Sequence, residues 1–167
     1  MPKHSLSSYE KGLLEKEIQE LEYAALFSKE GEFIKEFIGG IGYVHIPLSW
    51  KKEGMVLTHN HISGTSFTIK DLGIGEKLRL SEIRVVTEDG IYSMKSEGNN
   101  WPSEEDIRRC ANKIRGDKEF QSLVYEDLYT ENNGRINPQT AGYIIESEIV
   151  CKGIAKKFNL HYFFVQW

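Results

Sequence analysis

Two histidines one residue apart, followed by an aspartate, are the side chains of this 167-residue chain best suited to chemistry. His59 and His61 follow the short apolar run Met55–Thr58, which is typical of a buried strand. Because side chains alternate along an extended backbone, both imidazoles point the same way and can reach one metal ion. Asp71 comes ten residues after His61, at the start of a predicted helix. Two His and one carboxylate leave a fourth position for water, so the pattern predicts a catalytic zinc that lowers the pKa of that water towards ~7.

Two simpler interpretations compete with a metal site. A His-x-His pair can be an ordinary feature of a surface loop. Thr68 and Asp71 have the spacing of a helix N-cap and a residue of the first turn, which explains both without a metal. The position of the histidines at the end of a buried strand, with Ser63 and Gly64 next, favours a functional site, because binding residues concentrate on loops at strand ends.

The elements around these residues predict an α/β (α+β) domain. Neither a repeat nor a low-complexity linker divides the sequence, so residues 1–167 are predicted to form a single domain. The helix that starts at residue 68 is expected to be short or irregular, because it contains Gly73 and Gly75. His161–Trp167 is expected to pack its apolar residues onto the sheet. The remaining predicted elements are an amphipathic helix over 5–20, two hairpins over 22–37 and 82–94, a strand over 55–58, a helix over 103–115, and a mainly helical remainder broken at 132–134 and 137–138.

Composition excludes several classes of function. With 21 basic and 25 acidic residues the net charge is −4, and no basic stripe suggests binding to nucleic acid. No segment approaches the ~20 apolar residues needed to span a bilayer, and the N-terminus lacks the apolar run of a secretory signal. The two cysteines, Cys110 and Cys151, have no metal-binding spacing and indicate reduced thiols. These features predict a soluble, cytoplasmic protein of undetermined oligomeric state.

The segment 57–71, LTHNHISGTSFTIKD, resembles the motif of the JAB/MPN (JAMM) metalloproteases, in which a Glu is followed by His-x-His, Ser and Asp. It is most similar to the HNHPSG version found in RadC-like proteins and in the C-terminal domains of minor head proteins of tailed phages. The hairpin EIRVVTEDGIYSM, the strand that opens with Glu22 and the turn at Gly31 are also similar, so the likeness covers residues 22–167. The resemblance implies a mixed central β-sheet flanked by helices, with the layering of cytidine deaminases, in a bacterial or phage-encoded protein.

The resemblance also implies a role for individual residues. Zinc would be held by His59, His61 and Asp71. Glu22 is the best match for the general base that acts on water, and Thr68 replaces the serine that stabilises the tetrahedral oxyanion.

Other assignments stay open at the level of sequence. Glu32 or Glu36 on the neighbouring strand could serve as the base in place of Glu22, or none of the three serves. Ile62 occupies the position of the proline in HNHPSG, and the gap between His61 and the Thr/Asp pair is one residue shorter than in the common protease motif. A shorter loop would disturb catalysis before metal binding. Three further histidines, His4, His45 and His161, are assigned ordinary structural or surface roles.

Three functional hypotheses follow. The first is a zinc-dependent metallohydrolase that cleaves a peptide or isopeptide bond in a peptide or protein substrate. The second is a phage- or prophage-derived interaction or structural module that retains the fold, with or without the metal, and has no catalytic activity. The third, a metal-dependent nuclease or nucleotide hydrolase, is disfavoured by the acidic charge balance.

Overall fold

A computed structural model describes residues 5–16, 20–120, 122 and 141–167 of the chain. The strands are β1 (Tyr23–Phe27), β2 (Phe33–Ile38), β3 (Val56–Asn60), β4 (Glu82–Thr87), β5 (Gly90–Lys95) and β6 (His161–Gln166). The α-helices are α1 (Leu6–Lys16), α2 (Ile69–Leu78), α3 (Glu104–Arg115) and α4 (Ala141–Phe158). Short 3-10 helices lie at Leu48–Trp50 and Glu97–Asn99.

The strands form one six-stranded mixed sheet in the order β2-β1-β3-β4-β5-β6. β3 and β4 run parallel, and α2 makes the crossover between them, whereas the other four neighbouring pairs are antiparallel. This confirms the predicted α/β class with a mixed sheet flanked by helices. The sheet places the end of β3 in the middle of the array, between β1 and β4.

Alternation of side chains along the strands divides the core between the two faces of the sheet. On β3, Leu57 belongs to the larger apolar core, whereas Thr58 bonds to a residue of α1. The larger core joins alternate strand residues to buried side chains of the later helices, including Ala24, Val85, Leu72, Ile107 and Ile154. The smaller core joins α1 to the other face through Tyr9, Leu13, Ala25, Phe27 and Val56. His59, two residues after Leu57, therefore faces α2.

Helix α1 is fixed to the sheet by a buried ion pair. The Arg84 guanidinium donates to both carboxylate oxygens of Glu10, at 2.6 and 3.0 Å, and Thr58 Oγ1 also donates to Glu10, at 3.0 Å. Glu10 is buried, and Arg84 donates in addition to Glu82 Oε1 at 2.8 Å. The charge of Glu10 is thus fully compensated, as burial of a carboxylate requires.

The glycines of α2 do not interrupt the helix, which runs for ten residues. A Cβ atom at Gly73 would lie 2.9 Å from the side chain of Glu104, and one at Gly75 would lie 2.5 Å from the ring of Trp101. The helix is short, as expected, but the two glycines lie within it and permit close packing. Glycine is needed here because α2 approaches α3 and Trp101 closely.

The C-terminal segment packs Tyr162 and Phe164 against the larger core, as expected, but it does so as a strand of the sheet itself. It is the edge strand β6, which pairs antiparallel with β5 from Gly90↔Gln166 to Lys95↔His161. None of the described helices has both the length and the apolar character needed to cross a membrane. His4, residues 17–19 of the predicted first helix, and the predicted breaks at 132–134 and 137–138 lie outside the described residues.

Candidate metal centre

The end of β3 and the start of α2 bring the three predicted ligands together. His59 lies in β3, with Ala24 of β1 and Val85 of β4 as its cross-strand neighbours. The backbone N–H of His61 donates to the carbonyl of Val86 at 2.9 Å, so the extended geometry continues one residue past the strand. Asp71 stands in the first turn of α2, which begins after an eight-residue connection. Both imidazoles therefore point towards the N-terminus of α2.

The side chains of His59, His61 and Asp71 lie close enough to share one metal ion, although Asp71 approaches the two histidines with different oxygens. His59 Nε2 and His61 Nε2 are 3.1 Å apart. Asp71 Oδ1 is 3.4 Å from His59 Nε2, and Asp71 Oδ2 is 3.3 Å from His61 Nε2. Zinc bonds to nitrogen and oxygen are about 2.0–2.1 Å long, which separates tetrahedral ligands by about 3.3 Å. In the part of the chain that the structure describes, no other group of three His, Cys, Asp or Glu side chains converges in this way.

Neighbouring groups orient two of these side chains. His61 Nδ1 lies 3.0 Å from the carbonyl oxygen of Thr65; a proton on Nδ1 would be donated there, which leaves Nε2 free to bind a metal. Asp71 Oδ2 accepts from the backbone N–H of Thr68 at 2.6 Å and from its hydroxyl at 2.7 Å. Asp71 N–H donates back to Thr68 Oγ1 at 3.2 Å, which completes a capping box. Oδ1 of Asp71 stays directed at His59.

Thr68 is thus the N-cap of α2, one of the two roles that the sequence allowed. Its single hydroxyl proton is donated to Asp71, so in this arrangement it is not directed at a substrate. His59 has no comparable support: among the described residues its Nδ1 is buried without a hydrogen-bond partner. Its ring contacts the ring of His61 edge to face, with centroids 4.8 Å apart.

Charge coupling within the cluster shifts the pKa of two ligands. Burial lowers the pKa of His61, but the hydrogen bond and charge of Asp71, with the charge of Glu22, outweigh it and raise the pKa to about 9. Burial favours a raised pKa at Asp71, but the charges and hydrogen bonds of His59 and His61 hold it well below its ordinary range. The side chains of His59, His61 and Asp71 are only 4%, 6% and 19% exposed, so solvent screens these interactions weakly. Without a metal the cluster is therefore an imidazolium–carboxylate pair.

Glu22 lies beside the same cluster. It immediately precedes β1, two residues before Ala24, the cross-strand neighbour of His59. Burial raises the pKa of Glu22, although the charges of His61 and His59 oppose the shift. A carboxyl group with a raised pKa close to a metal cluster has the properties of a general acid or base.

The two alternative glutamates are placed differently. Glu36 binds Lys16 of α1 at 2.7 Å, on the other face of the sheet. Glu32 is exposed and forms an isolated backbone bridge with Ser5, before β2 begins. Of these three acids, Glu22 alone lines the cleft that contains His61 and Asp71.

Asn60, which the sequence reasoning did not select, fixes the backbone on both sides of Glu22. Its Oδ1 accepts from the N–H of Tyr23 at 2.7 Å, and its Nδ2 donates to the carbonyl of Leu21 at 3.1 Å. Asn60 is completely buried and lies between the two histidines in sequence. The period of two along β3 directs it to the opposite face, and this alternation is the signal that could have identified it.

An open cleft of about 1000 Å³ contains His61, Asp71 and Glu22. Its lining also includes four apolar side chains that are 43% to 74% exposed: Ile41, Tyr43, Ile62 and Tyr143. A second cleft of about 420 Å³ is lined by His59 and by the other side of Asp71. The ligand cluster is accessible from both clefts.

The remaining described histidines lie outside the cluster. His45 is exposed and lines the second cleft. His161 is exposed on β6, where its Nε2 lies 2.9 Å from Glu97 Oε1.

Comparison with known proteins assigns no family. The chain matches no family model, and neither a curated protein nor a solved structure shows significant similarity to it. The functional argument therefore depends on the side chains of the cluster and of its clefts.

Proposed function

We propose that this chain is a zinc-dependent metallohydrolase of the JAB/MPN type that cleaves a peptide or isopeptide bond. The observation that carries the proposal is the convergence of His59, His61 and Asp71, at spacings of 3.1–3.4 Å, in an open cleft that also contains Glu22. Three protein ligands are the number typical of catalytic zinc, whereas structural zinc has four.

The chemistry of the donor atoms favours a transition metal such as zinc over calcium and magnesium. Two imidazole nitrogens and one carboxylate oxygen suit zinc, whereas calcium and magnesium prefer oxygen ligands. The hydrogen bonds of His61 to Thr65 and of Asp71 to Thr68 are the outer contacts that metal ligands commonly have.

Each side chain has a defined task in the proposed reaction. Zinc, when bound, acts as a Lewis acid that polarises a carbonyl and lowers the pKa of water. Glu22 takes the proton from the attacking water and passes it to the leaving amine, a task for which its raised pKa is suited. To support the oxyanion, the Thr68 hydroxyl would have to give up its hydrogen bond to Asp71, so we assign Thr68 to holding that ligand.

The engaged hydroxyl of Thr68 favours a second candidate, an interaction or structural module that keeps the metal site without catalysis. The exposed apolar side chains that line the cleft would suit a bound polypeptide in either case. The two candidates share the metal and differ in whether a bond is broken.

Metal content tests the part common to both. We expect elemental analysis of the purified chain, dialysed against zinc, to find about one zinc per molecule. His59→Ala should abolish this binding, whereas His161→Gln, which removes a histidine outside the cluster, should retain it. A folded chain that takes up no metal would overturn the metallohydrolase and the metal-binding form of the module.

Cleavage of a library of fluorogenic peptides, together with an isopeptide-linked substrate, separates the candidates. Glu22→Gln should retain zinc and lose hydrolysis, and Glu36→Gln is the matched control on the other face of the sheet. A zinc-loaded wild-type chain that cleaves none of these substrates would favour the non-catalytic module. Full activity in Glu22→Gln would remove Glu22 from the mechanism.

A further inference from the structure

Residues 62–67 connect the two histidines to the N-terminus of α2, so their path determines where Asp71 stands relative to His59 and His61. We propose that three side chains of α4 and β6, namely Ser147, Cys151 and Tyr162, form a polar clamp that fixes this loop and thereby positions Asp71 as a ligand. The inference extends the proposed metal binding and assigns the three residues as positioning residues, which do not touch substrate or metal.

The clamp holds the loop at two consecutive residues. The backbone N–H of Ser66 donates to Ser147 Oγ at 3.0 Å, and Ser66 Oγ lies 3.1 Å from the hydroxyl of Tyr162. Cys151 Sγ donates to the carbonyl of Phe67 at 3.4 Å. Helix α4 and strand β6 therefore bind three groups of the loop: the N–H and hydroxyl of Ser66 and the carbonyl of Phe67.

Two of the three clamp hydrogen bonds have an assigned donor, namely Ser66 N–H to Ser147 and Cys151 to the carbonyl of Phe67. Ser147 Oγ donates its proton to the carbonyl of Ile144 at 2.8 Å, so its lone pairs are available for the N–H of Ser66. Burial raises the pKa of the Cys151 thiol to about 12, which keeps the S–H proton for the bond to Phe67.

The residues of the loop that the clamp binds are also its buried residues. Ser66 is 0% exposed and Phe67 is 5% exposed, whereas Ile62 at the other end of the loop is 43% exposed. The ring of Phe67 also contacts the ring of Tyr162 edge to face, with centroids 6.3 Å apart. The fixed end of the loop is the end that enters α2.

The fixed end is connected directly to the metal ligand. Phe67 precedes Thr68, whose N–H and hydroxyl both bind Asp71 Oδ2, at 2.6 and 2.7 Å. A shift of Ser66 and Phe67 would therefore move Thr68. Because Thr68 is bonded to Asp71, the carboxylate would then move away from the two histidines. Groups that bond directly to a metal ligand, as Thr68 bonds to Asp71, typically contribute 10–100-fold to metal affinity, and the clamp acts one contact further out.

The test compares Ser147→Ala and Tyr162→Phe with the control Tyr92→Phe. Tyr92 is buried in the same core and stacks on Tyr162, but its hydroxyl donates to Glu148 at 2.6 Å and not to the loop. Zinc affinity is measured by competition with a chromophoric chelator. The visible absorption of the cobalt-loaded protein reports the ligand geometry, and chemical denaturation of the metal-free protein reports stability.

We expect each clamp variant to lose up to about tenfold in zinc affinity, the lower end of the range for direct partners of a ligand, and to change the cobalt spectrum. Tyr92→Phe should be destabilised to a similar extent but keep the wild-type affinity and spectrum. The proposal is overturned if the folded clamp variants bind zinc as the wild type does, or if Tyr92→Phe shows the same loss. A wild-type chain that binds no zinc would instead overturn the proposed function.

Discussion

Zinc uptake by this chain should release a proton at neutral pH. In the metal-free cluster the pKa of His61 is about 9, since the bond to Asp71 and the charges of Asp71 and Glu22 outweigh burial. At pH 7 the imidazole is therefore protonated, with Nε2 3.3 Å from Asp71 Oδ2. A metal needs the lone pair of that nitrogen, so binding must displace the proton.

The raised pKa of His61 determines how strongly zinc affinity should depend on pH. Deprotonating a group of pKa about 9 at pH 7 costs about 3 kcal/mol, at 1.36 kcal/mol for each pH unit. The apparent zinc affinity should then rise about tenfold for each pH unit from 7 to 9, or about 100-fold in total. Above pH 9 the dependence on His61 should disappear.

Isothermal titration calorimetry in two buffers with different ionisation enthalpies measures the proton count directly. We expect about one proton released per zinc at pH 7 and close to none from His61 above pH 9. His161→Gln should behave as the wild type does, because that histidine lies on β6 and outside the cluster. An affinity that stays constant from pH 7 to 9, with no proton released at pH 7, would refute the imidazolium–carboxylate description.

The same pair makes the stability of the metal-free protein depend on pH. Because the pKa of His61 is raised from 6.5, its contribution to the free energy of unfolding is complete below pH 6.5 and is lost as the pH rises through about 9. The pKa of Asp71 is lowered from 3.8, so its contribution is present above pH 3.8 and is lost as the pH falls below that value. Urea denaturation should give the highest stability between about pH 4 and 6.5.

Three substitutions test other parts of the fold. Asn60→Leu should retain zinc but lower the free energy of unfolding by about 2–4 kcal/mol, because two backbone groups flanking Glu22 lose their buried partner; unchanged stability in urea would contradict this. Glu10→Gln should lower the free energy of unfolding by about 3 kcal/mol, because it breaks the buried ion pair with Arg84. An unaltered denaturation midpoint would show that the pair does not stabilise the fold. Gly75→Ala should lower the melting temperature although alanine favours helices, because the new Cβ would lie 2.5 Å from the ring of Trp101. A higher melting temperature would show that the Trp101 ring moves aside.

The ligand cluster could be predicted because its geometry is mostly local. The period of two along a strand places His59 and His61 on one face, and the structure confirms that their Nε2 atoms are 3.1 Å apart. The spacing of Thr68 and Asp71 predicts a capping box, which the structure also contains. In both cases the relevant interactions involve residues close in sequence.

The contacts that support the cluster could not be predicted, because they join distant parts of the chain. Ser66 and Ser147 are 81 residues apart, and Asn60 binds the N–H of Tyr23 across 37 residues. The strand β6 exists only through its pairing with β5, and His161–Gln166 has no turn signal that would indicate a partner. Sequence periodicity reports which face a side chain occupies and contains no information about what covers that face.

The cap and the metal ligand were alternative interpretations of Asp71, yet the structure makes them compatible. The cap binds Oδ2, which also lies 3.3 Å from His61 Nε2, and Oδ1 lies 3.4 Å from His59 Nε2. The cap restricts the side chain to one orientation before any metal arrives, so less conformational entropy is lost when the metal binds. A Thr68 variant without a hydroxyl should therefore lose metal affinity as well as helix stability. A capping pair beside a His-x-His strand end is consequently compatible with a preorganised ligand and does not argue against one.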